Sequence, residues 1–397
     1  MSKARGISNL VDTDGDVVSG ALDNVPPSND ASALTTGTLP VDRVPYVGRR
    51  NLIINGAMQV AQRGTSAITA SGTTQFPVDR FGIQQVDVGG SFTAQQSSTA
   101  PEGHSKSVVI TVTGTGTPSG GDRAILSQHV EGLNSAHLNW GTANAKTVTL
   151  SFWVRSSLTG TFGGALSNSS VNRAYPFTYS ISSADTWEQK TVTISGDTSG
   201  TWLTTNGVGV RVYFGLSVGP DKSGTAGTWA SADYRSATGA TNLLGTNGAT
   251  FYITGVQLEV GSVATPFEHR SYGEELALCQ RYYQSSYNTG VSPGSSVDDF
   301  AGNNGGQGVY HAFGTNVSGG VASSIGSFVT QMRTRPTVTV YDHSGNSGKI
   351  TTFDSGSSPT ANQSYNAVRQ SQRQIIVRTY QSSIFGFEYL YEADAEL

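Results

Sequence analysis

Residues 147–155 carry an aliphatic or aromatic side chain at every second position. The apolar members are Val148, Leu150, Phe152 and Val154. Successive side chains of a strand point to opposite faces, so this pattern predicts a half-buried β-strand. Similar patterns recur at 108–112, 175–181, 191–194, 208–216 and 250–260, with turn residues between them. Many short strands at such spacing predict a β-sandwich, most simply a jelly roll, over residues 50–270.

Residues 271–285 interrupt the strand pattern with the best helical segment of the chain. Ser271 is a good N-cap, two glutamates follow in the first turn, and Arg281 stands near the end. We therefore predict a short helical connector. Strand patterns then resume at 309–313, 324–329, 337–341, 374–380 and 385–391. These predict a second, smaller C-terminal β-sandwich over residues 286–397, which makes the expected fold class all-β.

Residues 1–49 differ from the rest of the chain. They contain no Trp and no Phe, and their few apolar side chains are spaced apart. Such a segment has too few apolar side chains to form a hydrophobic core by itself. We interpret it as an extended arm that packs against copies of itself, rather than as a flexible tail, because Pro40 and Asp42 place a turn among the apolar residues. Self-association would then supply part of its stability.

Composition excludes several function classes. Charged residues make up 13% of the chain and the net charge is -4, which gives no basic surface for nucleic acid. No apolar run is long enough for membrane insertion, and no secretory signal follows the first residues. The single cysteine, Cys279, can form neither an internal disulfide nor a cysteine-based metal site. The six histidines lack metal-ligand spacing, so no metal or cofactor is expected.

Signatures of catalysis are weak. No Gly-x-Ser-x-Gly turn occurs between a parallel strand and a helix, and no Gly-rich loop matches the phosphate-binding pattern. A glycosidase needs two carboxylates that flank a sugar bond. Asp298 and Asp299 could supply such a pair only with help from elsewhere, and nothing in the sequence selects them. We therefore expect a protein that is not an enzyme.

The candidate ligand-binding residues are aromatic or imidazole side chains near loops rich in Gly, Ser, Thr and Asn. An exposed ring in such a loop can stack on the apolar face of a sugar. The candidates are Trp140, Trp202, Trp229, Tyr310, Tyr341 and His343. For each of them a structural role stays open, and Tyr310 is ambiguous between the core and the surface.

Several stretches resemble phage tail-fibre proteins. The resemblance rests on LTTGTLPVDRVP at 34–45, NLIINGAMQVAQRG at 51–64 with DRF at 79–81, GVQLEVG at 255–261 with ATPFE at 264–268, LALCQRYY at 276–283 and ADAEL at 393–397. The first is similar to segments that precede fibre domains. The stretches at 51–64 and 79–81 are similar to the opening of carbohydrate-binding-module-like jelly rolls in such fibres, and those at 255–261 and 264–268 to their end. The last two resemble the C-terminal part.

The resemblance implies a homotrimer on the virion, made in the host cytoplasm without a signal peptide. Residues 1–49 would attach to a phage tail or baseplate protein, and residues 286–397 would be the receptor-binding domain that adsorbs to host surface polysaccharide. The matching motifs are framework positions, so they imply no site residues. Two alternatives stay open: a purely structural tail adaptor that links the tail to another receptor-binding protein, and a polysaccharide depolymerase.

Overall fold

A computed structural model describes residues 49–297, 310–313, 322–353, 359–380 and 384–397. The predicted arm, apart from its last residue, and the pair Asp298 and Asp299 lie outside these residues. Arg49–Leu397 belong to one structural unit. Its regular structure is almost entirely β, so the all-β prediction is confirmed.

The first part of this unit is built from strands β1 to β14. Their bounds are β1 Ile68–Thr69, β2 Gln75–Val78, β3 Phe81–Val86, β4 Ser91–Ser97, β5 Ser107–Gly114, β6 Arg123–Glu131, β7 Val148–Ser156, β8 Gly160–Ser167, β9 Ala174–Ile181, β10 Glu188–Ile194, β11 Val208–Val218, β12 Ser223–Gly224, β13 Ser236–Ala237 and β14 Thr250–Val260. A single turn of helix, α1 (Gly132–Ser135), follows β6. The predicted strands are all present.

Two six-stranded antiparallel sheets pack face to face as a β-sandwich. Sheet 1 has the order β1-β4-β5-β14-β7-β10, and sheet 2 has the order β2-β3-β6-β11-β8-β9. The alternating residues of β7 point inward as predicted, and Val148, Leu150, Phe152 and Val154 are fully buried. They share one core with the inward residues of sheet 2, among them Phe162 and Phe214. The outward side chains of sheet 2 are thus free to form a surface.

The segment that carries the opening fibre-like motif is buried against the sandwich. The Asn51 side chain donates to the Val256 carbonyl and accepts from the Leu258 amide. Asn55 donates to the Val60 and Asp79 carbonyls. These amides satisfy backbone groups that no strand partner reaches. The motif is therefore structural, in agreement with its interpretation as a framework.

Helix α2 (Tyr272–Gln280) confirms the predicted helical segment. The Ser271 side chain accepts a hydrogen bond from the Glu274 amide, which is the N-cap contact expected from the sequence. The helix is shorter than the predicted connector, because β15 (Tyr283–Ser285) already belongs to the next sheet. Gln284 holds this strand in place by donating to the Gln280 and Thr330 carbonyls.

The C-terminal strands are β16 Tyr310–Phe313, β17 Ala322–Ser327, β18 Thr337–Tyr341, β19 Ile350–Phe353, β20 Thr360–Gln363, β21 Ala367–Gln370, β22 Gln374–Thr379 and β23 Gly386–Asp394. Strand β23 is central, since β15, β16, β18 and β19 all pair with it in antiparallel fashion. A three-stranded sheet of β17, β22 and β21 packs nearby. Between them lies a second core, which contains Ile375, Val377 and Phe387.

Candidate functional site

The outer face of sheet 2 carries a polar depression of about 230 Å³, which we call the arginine groove. Its lining residues are Thr74, Gln84, Arg123, Ile125, Ser127, His129, Val171, Arg211, Tyr213 and Arg235. It crosses three neighbouring strands, β3, β6 and β11. The groove is thus a surface of the sheet itself, and loops contribute only its rim.

Strand periodicity creates this surface. Along β6, Ala124, Leu126 and Val130 point into the core, so the residues between them point outward. The antiparallel register then sets Ser127 opposite Tyr213 and His129 opposite Arg211. At the rim, Val171 has a φ of 48°, a conformation that is rare for a β-branched residue.

The floor of the groove is a small apolar cluster on the outer face. Ile125, Ala165 and Tyr213 pack together there, and Tyr213 is only 1% exposed. The Arg235 guanidinium lies 4.5 Å from the centre of the Tyr213 ring and donates to its hydroxyl. Arg235 also pairs with Asp233 at 2.6 Å. On this side of the groove, the positive charge of Arg235 is therefore paired with the carboxylate of Asp233.

His129 and Arg211 form the other side of the groove. Arg211 Nη1 donates to His129 Nε2 over 3.0 Å, and His129 Nδ1 lies 2.9 Å from the Leu397 main-chain oxygen. This pattern fits a neutral imidazole that carries its proton on Nδ1. Burial, and then the charge of Arg211, lower the pKa of His129 to about 3. The positive charge on this side of the groove thus resides on Arg211.

The three tryptophans predicted as ligands meet in one cluster. The ring centre of Trp140 lies 4.7 Å from that of Trp202 and 5.4 Å from that of Trp229, and both pairs pack edge to face. All three lie outside the strands, as expected from their loops. Their indole N–H groups donate to the carbonyls of Lys146, Ser199 and Ser195 respectively. Trp140 is only 7% exposed, so its ring serves the core.

A second depression lies beside this cluster. It has a volume of about 130 Å³, and Trp140, Trp202, Asn139 and Thr142 are among its lining residues. Trp202 is partly exposed. Trp229 packs on Tyr175, with 5.2 Å between the two ring centres. Trp202 is thus the tryptophan of the cluster that both lines the depression and keeps part of its surface exposed.

The three candidates in the C-terminal part lie elsewhere and are held by internal contacts. The Tyr341 hydroxyl donates to Glu392 Oε1 over 2.6 Å, and the residue is buried. His343 Nδ1 lies 2.8 Å from the Thr351 hydroxyl. Tyr310 is partly buried and stacks on Tyr389. The structure does not bring them together with the tryptophan cluster.

Sequence reasoning missed the arginine groove. Arg123 and Arg211 each occupy an outward position in a strand whose inward residues are apolar, which was visible in the sequence. Which outward residues face one another depends on a pairing of strands more than 70 residues apart, and no local pattern encodes that pairing.

The described part of the chain contains no group of three or more His, Cys, Asp or Glu residues arranged to hold a metal ion. None of its helices is long and apolar enough to cross a membrane.

Comparisons with known proteins give distant similarities. No family model matches the chain, and no curated protein matches it. Among solved structures, the enzymatically active domain of bacteriophage CBA120 tailspike protein 4 aligns at 13% identity and a TM-score of 0.30, over 53% of this chain and 21% of that chain. The alignment therefore spans about a fifth of the chain of that tailspike domain.

Carbohydrate-binding modules align over a similar fraction of this chain. TmCBM61 in complex with β-1,4-galactotriose matches at 10% identity and a TM-score of 0.28, over 54% of this chain and 100% of that chain. The family 11 module from Clostridium thermocellum, bound to a mixed-linked tetrasaccharide, matches at 12% identity and a TM-score of 0.26, over 51% and 99%. At such identity these similarities concern the fold alone.

Proposed function

We propose that this chain is a glycan-binding protein and that the arginine groove is its binding surface. The observation that carries the proposal is an open depression on the face of a rigid sheet, lined by side-chain amide, hydroxyl and guanidinium groups. Such groups donate and accept hydrogen bonds in the pattern that sugar hydroxyls require. A volume of about 230 Å³ suits a small unit such as a sugar better than a large apolar ligand.

The depression beside the tryptophan cluster is a second candidate subsite for the same role. Its partly exposed Trp202 offers an aromatic edge, and Asn139 and Thr142 offer polar groups. Two weak subsites on one chain, repeated in an oligomer, raise the overall affinity through effective concentration.

We further propose that glycan binding is not followed by cleavage. Glycoside hydrolysis needs two carboxylates beside the bond that breaks. Neither the arginine groove nor the depression beside the tryptophans is lined by an Asp or a Glu among the described residues. This supports an adhesin rather than a depolymerase.

The fibre-like motifs support a homotrimeric tail-fibre protein of a phage virion, made in the host cytoplasm, which attaches to host surface polysaccharide. In this setting, residues 1–49 would bind a tail or baseplate protein. A structural adaptor is the alternative, and it would not need a groove that binds sugar.

The test is a binding and cleavage assay on the full chain with surface polysaccharides extracted from a panel of bacteria. We expect retention by at least one polysaccharide in affinity electrophoresis, with no release of reducing ends. Release of reducing ends would contradict the proposal that the protein only binds and would support a depolymerase. A full chain that no polysaccharide of the panel retains would contradict glycan binding.

A further inference from the structure

The arginine groove carries positive charge that the protein does not neutralise. Arg123 and Arg211 both line it. Neither guanidinium takes part in an ion pair within the described residues, whereas buried Arg80 and the partly buried Arg173 and Arg270 each do. In a chain with a net charge of -4, two unpaired arginines in one groove are an exception to the general pattern.

The carboxylates on neighbouring segments are already engaged. Asp233 contacts both Arg235 and Lys222, at 2.6 and 2.8 Å. Glu131, at the end of the strand that carries Arg123, accepts two hydrogen bonds from Arg281. His129 is neutral, so it adds no positive charge and removes none. The excess charge of the groove thus stays with Arg123 and Arg211.

Both arginines keep donors for a ligand. Arg123 donates through Nε to Gln84 Oε1 over 3.3 Å, and within the described residues its two terminal nitrogens have no hydrogen-bond acceptor. Arg211 donates to His129 and to the Ser169 carbonyl, and these contacts fix the plane of its guanidinium. Its buried Nε–H has no acceptor among the described residues.

A planar guanidinium matches the two oxygens of a carboxylate or the oxygens of a phosphate, and such charge-assisted pairs are roughly twice as strong as neutral hydrogen bonds. A neutral sugar would leave both charges uncompensated when it displaced their water, which costs free energy. The chemistry of the groove therefore favours a ligand that brings its own negative charge.

We propose that the arginine groove binds an anionic polysaccharide, with separate carboxylate or phosphate groups of the polymer at Arg211 and at Arg123. This inference rests on the proposed glycan-binding function and names the class of glycan. Gln84 and Ser127 line the groove between the levels of the two arginines and offer hydrogen bonds to sugar hydroxyls.

The experiment compares each polysaccharide with its neutralised form. The full chain is tested by biolayer interferometry against uronic-acid polysaccharides and phosphate-bearing polysaccharides, before and after carboxyl reduction or dephosphorylation. We expect neutralisation to weaken binding at least tenfold, and the polymer class that responds identifies carboxylate or phosphate. Arg211→Gln and Arg123→Gln should each weaken binding at least tenfold, and Arg211→Lys by less.

Arg155→Gln is the matched control, because Arg155 is a partly exposed strand residue that pairs with Asp185 away from the groove lining. Arg123→Gln keeps the test valid if Arg211→Gln does not fold, since Arg123 makes a single side-chain contact among those described. Unchanged affinity for the neutralised polymer, or for both groove variants, would overturn the anionic inference and leave glycan binding intact. If the full chain bound none of the polymers, in either form, both the anionic inference and the proposed glycan-binding function would be contradicted.

Discussion

At the scale of single residues, buried ion pairs link parts of the chain that are far apart in sequence. Glu131, 1% exposed, accepts hydrogen bonds from Arg281 at 2.6 and 2.8 Å and from the Tyr282 hydroxyl at 2.7 Å. One carboxylate thus connects β6 of the sandwich to the end of helix α2. Removing one member of such a group leaves the others without a partner.

We therefore predict that Glu131→Gln lowers the free energy of unfolding by about 3 kcal/mol, the lower end of the range for a broken buried pair, because Arg281 keeps part of its exposure to water. Urea unfolding measures this change. Asp185→Asn, at an exposed pair with Arg155, is the control and should cost less than about 1 kcal/mol. Equal effects of the two substitutions would contradict this role of Glu131.

His129 should make folding stability depend on pH. Its pKa is lowered to about 3 in the folded protein, while an unfolded histidine titrates near 6.5. Between these values the unfolded chain binds a proton that the folded chain does not. The free energy of unfolding therefore falls as the pH drops from about 6.5 towards 3, by at most about 1.4 kcal/mol per pH unit from this residue.

The prediction is that His129→Gln shows a shallower loss of stability between pH 6.5 and 4 than the unmodified chain, measured by urea unfolding at several pH values. His137→Gln removes an exposed histidine whose pKa is lowered to a lesser extent, so it serves as the comparison and should flatten the slope by less. If His129→Gln left the slope of the unmodified chain unchanged, the neutral, partly buried imidazole inferred for the groove would be wrong.

At the scale of elements, two glycines test how tightly the opening segment packs. A Cβ at Gly56 would lie 2.2 Å from the Val256 carbonyl oxygen, whereas a Cβ at Gly273 in helix α2 meets nothing within 4 Å. We predict that Gly56→Ala lowers stability by about 1–3 kcal/mol, because backbone must shift. Gly273→Ala should be neutral or stabilising by up to about 1 kcal/mol.

Thermal unfolding of both glycine variants provides the measurement, and Gly273→Ala is itself the control for the loss of a glycine. A Gly56→Ala protein as stable as the unmodified chain would show that the 51–64 segment does not pack on β14 as described.

The elements also show what the sequence could predict. Strands such as β7 and the Ser271 cap of helix α2 follow from residues that are neighbours in the chain. The positions of Asn51 and Gln284 could not be predicted, because their hydrogen bonds join segments up to 207 residues apart. For the same reason the tryptophans were placed in loops correctly, while their mutual packing was not foreseen.

At the scale of the whole molecule, the residues that follow β23 contact the sandwich. Glu396 pairs with Arg80, and the Leu397 main-chain oxygen contacts His129 at the groove. Deleting residues 286–397 would remove both contacts, so loss of binding in that truncation would not locate the receptor site. Point variants in the full chain separate binding from folding more cleanly.

We also make a prediction about the oligomeric state of the whole molecule. The sequence of residues 1–49 and the resemblance to tail fibres lead us to expect a homotrimer, with three times the 41.5 kDa mass of one chain. Light scattering coupled to size-exclusion chromatography measures it. A monomer of the intact chain would contradict the trimer, and removal of residues 1–49 should lower the mass if the arm holds the copies together.

The central claim is that the arginine groove binds polysaccharide, and steric blocking tests it most directly. Thr74 is exposed at the rim of the groove, and Thr186 is exposed on a loop outside it. Polysaccharide binding by the full chain is measured for Thr74→Trp and Thr186→Trp, both of which leave every charge in place. We predict at least a tenfold loss of affinity for Thr74→Trp and none for Thr186→Trp. Equal binding by both variants would contradict the account.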